Sequence, residues 1–206
     1  MGTSDVKALI DPPAHERLQR YVQLLDKWRR ITNLISDDSF SDIWKRHILD
    51  AIHLQHQRPT ARRWLDIGSG AGLPGVVIAT LLTNDAGARV HCVEIDRRKC
   101  AFLREVASQL SLPLKVHNTL AEDMAQSVGV DVDVVTARAF SSLDRILRLT
   151  EPQLNNGAVA VLPRGRNAYD EVARLDPALY SFSVVPNPTP GDGVFVQIEL
   201  RDPRAL

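Results

Sequence analysis

The sequence predicts an α/β fold in which a mostly parallel seven-stranded sheet ends in an antiparallel hairpin. Three observations predict it. Residues up to about 60 carry helical periodicity without strands, and from Trp64 onward short β-prone runs alternate with helical patterns, which is typical of a parallel sheet. The last two apolar runs are separated by a Pro/Gly-rich link without a helix, which favours a hairpin. We therefore divide the chain into a helical extension, residues 1–60, and a main domain, residues 61–206.

Two helices are predicted in the extension. The first is indicated by apolar residues that recur at three- and four-residue steps, namely Leu18, Tyr21, Val22, Leu25 and Trp28. The second is predicted from Asp42 to Gln55. His47 falls among the apolar positions of this second helix, so we expect a hydrogen-bonded core histidine rather than a base.

The main domain has seven predicted strands and four predicted helices. The strands are expected at residues 64–67, 89–94, 114–117, 133–136, 158–162, 181–185 and 194–200. The helices are expected at residues 76–82, 97–110, 142–150 and 167–175.

A glycine-rich loop follows the first of these strands and precedes an apolar helix. Gly68, Gly70 and Gly72 alternate in it, and glycine permits positive φ and lets a ligand lie directly on the backbone. This layout binds a nucleotide-like ligand at the carboxyl end of a parallel strand. A match to the dinucleotide pattern, from Gly70 to Gly75, is weak evidence by itself, and the absence of a following Gly-Lys-Ser/Thr excludes a P-loop.

Two carboxylates at strand ends indicate which ligand binds. Asp66, the penultimate residue of the first strand, suits a cationic amine and would repel a pyrophosphate. That preference favours S-adenosylmethionine, which has an ammonium, a sulfonium and no phosphate. Glu94 ends the second strand, 22 positions beyond Gly72, where a carboxylate can accept hydrogen bonds from both ribose hydroxyls. Asp96 is the competing carboxylate.

Composition limits the remaining classes. Lys and Arg number 25, as do Asp and Glu, so a nucleic-acid surface has to come from local segregation of charge. The only two cysteines, Cys92 and Cys100, belong to no metal-spaced cluster, and we expect reduced core thiols and no metal. The start of the sequence shows no signal-peptide pattern, and no apolar run reaches the ~18 residues of a membrane span. We expect a cytoplasmic protein that does not enter a membrane.

Four segments together resemble the RsmG (GidB) family, the bacterial N7-guanine methyltransferases of small-subunit ribosomal RNA. They are Leu65–Gly75, Asn33-Leu34, Arg46–Asp50 and Thr136–Phe140. The resemblance extends from about Leu18 to Gly165. It implies a Rossmann-like class I methyltransferase fold, S-adenosylmethionine as cofactor, and 16S ribosomal RNA or the small ribosomal subunit as partner, with the protein acting as a monomer.

The resemblance also implies roles for individual residues. Gly68 and Leu73 would line the cofactor in the first loop, and Glu94 would hold the ribose. Ala121-Glu122, after the third strand, matches the family's adenine-side pair. Arg138, after the fourth strand, matches the family's arginine beside cofactor and target.

The expected chemistry agrees with this resemblance. Guanine N7 carries an unprotonated lone pair, so its attack on a sulfonium methyl needs no general base, and orientation can supply most of the rate. The segment after strand four, which ends at Phe140, lacks both the Asn/Asp-Pro-Pro-aromatic motif of amine methylation and the cysteine of cytosine-C5 methylation. Arg138 is the candidate catalytic residue, since an arginine fork suits guanine. It could equally be a structural ion-pair partner of Asp66 or Glu122.

Local basic clusters are the candidate RNA surface. They are Arg29, Arg30, Lys45, Arg46, Arg62 and Arg63 in the extension and its junction, and Arg97, Arg98 and Lys99 after the second strand. Two alternative functions remain open. A nicotinamide-dependent oxidoreductase would bind NADH and no S-adenosylmethionine, and a non-catalytic module would bind S-adenosylmethionine and RNA without methyl transfer.

Overall fold

A computed structural model describes residues 2–129 and 131–201 as a seven-stranded sheet flanked by helices. The strands are β1 (Arg63–Ile67), β2 (Arg89–Glu94), β3 (Leu114–Asn118), β4 (Val134–Thr136), β5 (Val159–Arg164), β6 (Tyr180–Pro186) and β7 (Val194–Leu200). Their order is β3-β2-β1-β4-β5-β7-β6, with β1 to β5 parallel and β7 antiparallel to both neighbours. The predicted parallel sheet ending in an antiparallel hairpin is confirmed.

Ten α-helices lie in the described part of the chain. They are α1 (Gly2–Lys7), α2 (Pro12–Arg29), α3 (Asp37–Ser41), α4 (Leu49–His56), α5 (Gly75–Leu81), α6 (Arg97–Gln109), α7 (Met124–Val128), α8 (Leu143–Leu149), α9 (Glu151–Asn155) and α10 (Ala168–Val172). A π-helical turn, Ile43–Ile48, leads directly into α4, and a 3₁₀ turn covers Ala121–Asp123. The second helix predicted in the extension is therefore a π-helical turn followed by α4.

Four helices, α1, α3, α7 and α9, were not predicted from the sequence. Each has five or six residues, which is too short for apolar periodicity to show. The long α2, by contrast, carries clear signals at its start. Pro12 and Pro13 occupy its first turn, and the Asp11 side chain accepts a hydrogen bond from the Ala14 N–H at 2.7 Å.

The helices of the extension and one face of the sheet share a single apolar core. Tyr21 and Trp28 of α2 pack against Phe102 of α6, with ring centroids 6.3 and 5.8 Å apart. A second apolar cluster fills the other face, where residues of β1, β4, β5 and β7 pack with residues of α7, α8, α9 and α10. Both faces are covered, so the carboxyl edge of the parallel strands is where a ligand can reach the sheet. Within the described residues, no helix has the length and apolar character needed to cross a membrane.

Candidate active site

A cleft of about 310 Å³ opens at the carboxyl edge of the sheet. The segments that follow β1, β2, β3 and β4 all contribute to its wall. Its lining residues are Gly68, Val93, Glu94, Ile95, Thr119, Leu120, Ala121, Glu122, Ala139, Phe140 and Arg145. Open α/β sheets bind ligands at this edge, because the strands end there and the loops diverge.

The three alternating glycines of the first loop have different functions. All have positive φ, at +69° for Gly68, +53° for Gly70 and +89° for Gly72. A Cβ on Gly72 would overlap Val76 and Leu103, so this glycine serves close packing of the loop against the core. A Cβ on Gly70 would meet only a backbone oxygen at 3.8 Å, so this glycine leaves open space above the loop.

Gly68 lines the cleft, and Phe140 packs against it. A Cβ on Gly68 would lie 2.5 Å from Cδ2 of the Phe140 ring, which closes the cleft on the β4 side. Leu73 is half-buried, packs against the apolar core and is not among the lining residues. The structure thus brings Gly68 to the cleft and places Gly72 and Leu73 behind it.

Glu94 joins the tip of β2 to the glycine loop. Its side chain lines the cleft, where Oε2 accepts a hydrogen bond from the Gly70 N–H and Oε1 accepts one from the Asp96 N–H, both at 2.9 Å. A carboxylate offers about four acceptor sites, so capacity is left for two ribose hydroxyls. The Asp96 side chain instead caps α6, accepting from the N–H groups of Arg98 and Lys99. This geometry favours Glu94 over Asp96.

Asp66 lies beneath the loop rather than in the cleft. Its side chain is buried, Oδ2 accepts a hydrogen bond from the Gly75 N–H at 3.1 Å, and Oδ1 has no hydrogen-bond partner among the described residues. Burial raises the pKa of Asp66 to about 7. The predicted direct contact with a cofactor amine is therefore not the arrangement found, because the packing of α5 seals this carboxyl from the cleft.

The β3 side of the cleft brings together the predicted pair Ala121 and Glu122. Glu122 forms an ion pair with Arg145 at 2.6 Å, and that ion pair lowers the pKa of Glu122. Two exposed apolar side chains line the cleft and were not predicted as site residues: Ile95, which is 61% exposed, and Leu120, which is 47% exposed. Exposed apolar side chains of this size suit a flat aromatic ligand. The sequence did indicate both positions, since Ile95 follows Glu94 and Leu120 precedes Ala121, which were predicted to bind the cofactor.

Arg138 extends from the end of β4 toward the extension. Its Nη2 lies 3.3 Å from Oδ2 of Asp50 and 3.3 Å from the carbonyl oxygen of Arg46. Neither Asp66 nor Glu122 is its partner, so both ion pairs considered from the sequence are wrong. Arg138 itself does not line the cleft, but the next residue, Ala139, does, with a positive φ of +51°. Burial lowers the pKa of Arg138.

His47 lies close to this arginine. The ring is half-buried, and Nδ1 is buried with no hydrogen-bond partner in the described part of the chain. Burial, and then the charge of Arg138, lower its pKa to about 4. The expected hydrogen-bonded core histidine is therefore wrong for this nitrogen, and the neutral ring is retained at physiological pH.

Some side chains of the predicted basic clusters form ion pairs, and others do not. Arg29 and Arg30 both bond to Asp26, Arg29 also bonds to Asp37, and Arg63 bonds to Asp131 and Asp133. The side chains that stand exposed without a described ion pair are Lys45, Arg46, Arg62, Arg97 and Arg98. Lys45 and Arg46 lie on the Arg138 side, and Arg97 and Arg98 begin α6 next to Glu94.

Strand order, glycine loop and the acidic tip of β2 define the class of protein, a Rossmann-like class I methyltransferase fold. The structure is similar to that of a Podospora anserina methyltransferase solved with SAH bound. The TM-score is 0.59 at 15% sequence identity, and the match covers 88% of each chain. At this identity the likeness shows the fold alone.

The sequence itself identifies the family. Residues 14–191 match the family model of GidB, rRNA small subunit methyltransferase G. The protein of that name from Caulobacter vibrioides is 42% identical over 158 residues, covering 77% of this chain and 71% of its own. The protein of that name from Methylorubrum populi is 36% identical over 184 residues, and the match covers 89% of this chain and 87% of that protein. The chain belongs to this family, which confirms the predicted enzyme class, an S-adenosylmethionine-dependent ribosomal RNA methyltransferase.

Proposed function

We propose that this protein transfers a methyl group from S-adenosylmethionine to N7 of a guanine in small-subunit (16S) ribosomal RNA. The observation that carries the proposal is Glu94 at the cleft, with both carboxylate oxygens fixed by backbone N–H groups. In this role Glu94 accepts the ribose hydroxyls, Ile95 and Leu120 enclose the adenine, and the open space over Gly70 leaves room for the rest of the cofactor. The cofactor supplies its sulfonium methyl group.

Chemistry at N7 fits the residues near β4. With the cofactor bound, the lone pair of guanine N7 would accept the methyl group, the sulfonium would become a neutral thioether, and the base would become cationic without any proton transfer. The two carboxylates that line the cleft already make contacts, Glu94 with two backbone N–H groups and Glu122 with Arg145, and methylation at N7 requires no base from either. The protein's task is then to orient the base and exclude water, which is worth up to ~7–11 kcal/mol in favourable cases.

Arg138 is proposed to be the catalytic residue that orients the target. It adjoins the cleft through Ala139, and its contacts of 3.3 Å are long enough to be exchanged for contacts with a base. Asp66 is proposed to act indirectly, by holding Gly75 and the start of α5 under the loop. We further propose that the protein acts as a monomer in the cytoplasm, on 16S RNA or on the assembled small subunit.

The decisive test is methyl transfer from radiolabelled S-adenosylmethionine to small subunits, and to naked 16S RNA, from cells that lack this protein. The expected product is one 7-methylguanosine, located by mass spectrometry of nuclease fragments. Binding of S-adenosylmethionine without transfer to either substrate would support the non-catalytic module instead. Calorimetric binding of NADH but not S-adenosylmethionine would support the oxidoreductase.

Arg138→Ala is expected to separate binding from chemistry. Turnover should fall by about 100-fold or more, because the lost contacts form mainly in the reacting complex, while cofactor affinity stays within about twofold. Arg138→Lys keeps the charge but not the planar fork and should recover little. Calorimetry, the thermal midpoint and methyl transfer are measured together, and normal turnover in Arg138→Ala would remove this residue from the mechanism.

A further inference from the structure

A polar cluster lies beside the cleft, where three segments far apart in sequence meet. It consists of Asp50 in α4, Arg138 after β4 and Asn187 in the loop between β6 and β7. Asn187 Nδ2 donates to Oδ1 of Asp50 at 2.8 Å, and Nη2 of Arg138 lies 3.3 Å from Oδ2 of Asp50. None of the three lines the cleft, but Arg138 directly precedes the lining residue Ala139, which connects the cluster to the β4 side of the cleft through the backbone.

The Asp50 carboxylate is held firmly but retains acceptor capacity. Asn187 is itself fixed, since its Oδ1 accepts from the Thr189 N–H at 3.0 Å and its N–H donates to the Gly193 carbonyl at 2.9 Å. The contact with Arg138 is long and correspondingly weak. A carboxylate has about four acceptor sites, and two are used here. The side chains of Asp50 and Arg138 are 20% and 25% exposed, so a ligand can reach both.

Two further polar atoms at this place have no partner. His47 Nδ1 and Thr189 Oγ1 are both buried, and neither makes a hydrogen bond within the described residues. Because both atoms are buried, they belong to the packed wall behind the cluster, and a ligand would meet the partly exposed Asp50 and Arg138 instead.

We propose that Asp50 is the specificity-determining residue that reads the target guanine, accepting hydrogen bonds from its N1–H and its exocyclic N2 amine. The proposal rests on the proposed N7 methylation. On guanine, O6 is an acceptor next to N7, and N1–H and N2–H₂ follow around the ring. N7 has to keep its lone pair for the methyl group, so Arg138 would donate to O6. Its Nη2 lies 3.3 Å from Oδ2 of Asp50, so a donor and an acceptor stand side by side to match O6 and N1–H. Adenine places an acceptor where guanine has N1–H, so it would face the carboxylate unpaired.

The negative charge of Asp50 would also stabilise the transition state. Methylation at N7 makes the base cationic, which strengthens N1–H and the N2 amine as donors during the reaction. A fixed carboxylate on that edge therefore stabilises the transition state more than the bound substrate. Asp50 also offsets the charge of Arg138, which by itself would oppose a developing cation.

The test compares guanine with inosine, which lacks only the N2 amine. The target nucleotide, first mapped in the wild-type reaction, is replaced by inosine in ligated 16S RNA that is then assembled into small subunits. For the wild type we expect inosine to lower kcat/KM by about 10- to 100-fold, the effect of one lost hydrogen bond to a charged group. Asp50→Asn should be slow on both substrates and discriminate by less than about threefold. Asp42→Asn, an exposed neighbour, serves as the matched control and should behave as wild type.

Each outcome bears on one hypothesis. If Asp50→Asn still discriminates guanine from inosine as the wild type does, Asp50 does not contact the N2 amine and the inference is overturned. If the wild type methylates no guanine, the proposed function itself fails. Should Asp50→Asn lower the thermal midpoint or cofactor affinity, Asn187→Ala replaces it, because loss of the amide that fixes Asp50 should reduce discrimination, and unchanged discrimination there would also overturn the inference.

Discussion

Glu94 accepts hydrogen bonds from the backbone at Gly70 and Asp96, and we propose that it also binds the cofactor ribose. Two variants can separate cofactor binding from protein stability. Glu94→Gln keeps an acceptor for the Gly70 N–H but loses the charge. The free energy of cofactor binding should therefore become weaker by about 1.5–3 kcal/mol, with little change in the free energy of unfolding. Asp96→Ala is the matched control. It removes the cap of α6 and should cost about 0.5–2 kcal/mol of stability, leaving affinity nearly unchanged. Calorimetry and urea unfolding separate the two, and the opposite pattern would make Asp96 the ribose ligand.

The buried Asp66 should give the protein an unusual pH dependence. Its pKa is about 7 in the folded protein, against 3.8 as the ordinary value, so between these pH values the folded state binds more protons than the unfolded state. The contribution of Asp66 to stability is therefore complete below about pH 4 and is lost as pH rises to about 7, by up to about 4 kcal/mol.

Asp66→Asn tests this dependence, because the asparagine cannot ionise and its Oδ1 can still accept from Gly75. We expect the free energy of unfolding of Asp66→Asn minus that of the wild type to increase between about pH 4 and pH 7 and then to level off. Contributions from other carboxylates cancel in this difference. A flat difference would mean that the wild-type side chain stays ionised when folded.

The contact between α2 and the glycine loop joins the helical extension to the loop that we propose holds the cofactor. The Tyr21 O–H, fully buried, donates to the Ala71 carbonyl at 2.7 Å. Tyr21→Phe leaves that carbonyl unpaired at a cost of about 1–3 kcal/mol and should loosen the loop, so cofactor affinity should fall severalfold. Tyr169→Phe, on a tyrosine that is 59% exposed, is the control. Reduced stability with full affinity would show that Glu94 alone orders the loop.

The sequence predicted those features that depend on residues close to one another in the chain, and it did not predict those that depend on distant contacts. The glycine loop and Glu94 were predictable because strand, turn and acid lie within about thirty residues and follow one pattern. The burial of Asp66 was not, because it depends on how α5 packs over β1. The partner of Arg138 was not either, since Asp50 is 88 positions away and Asn187 lies 137 positions from Asp50. Contacts of that separation leave no periodicity in a single sequence.

Across the whole molecule, net charge is zero, so RNA binding depends on which cations the ion pairs leave free. Lys45 and Arg97 are both exposed. Lys45 directly precedes Arg46, whose carbonyl contacts Arg138, and Arg97 begins α6 shortly after Glu94. We expect an RNA bound at the cleft to place phosphates near both. Arg30 is equally exposed, but it is paired with Asp26 and is not near the cleft lining.

Lys45→Ala and Arg97→Ala should each weaken binding of small subunits and reduce the slope of log affinity against log salt by about one, because each removes one phosphate contact. Arg30→Ala removes the same charge and should leave the slope unchanged. Binding is measured by filter retention of labelled subunits between about 50 and about 200 mM salt, with S-adenosylhomocysteine present. If the slope of log affinity against log salt is the same for all three variants, the overall charge of the surface controls RNA binding. In that case Lys45 and Arg97 make no local phosphate contacts that Arg30 lacks.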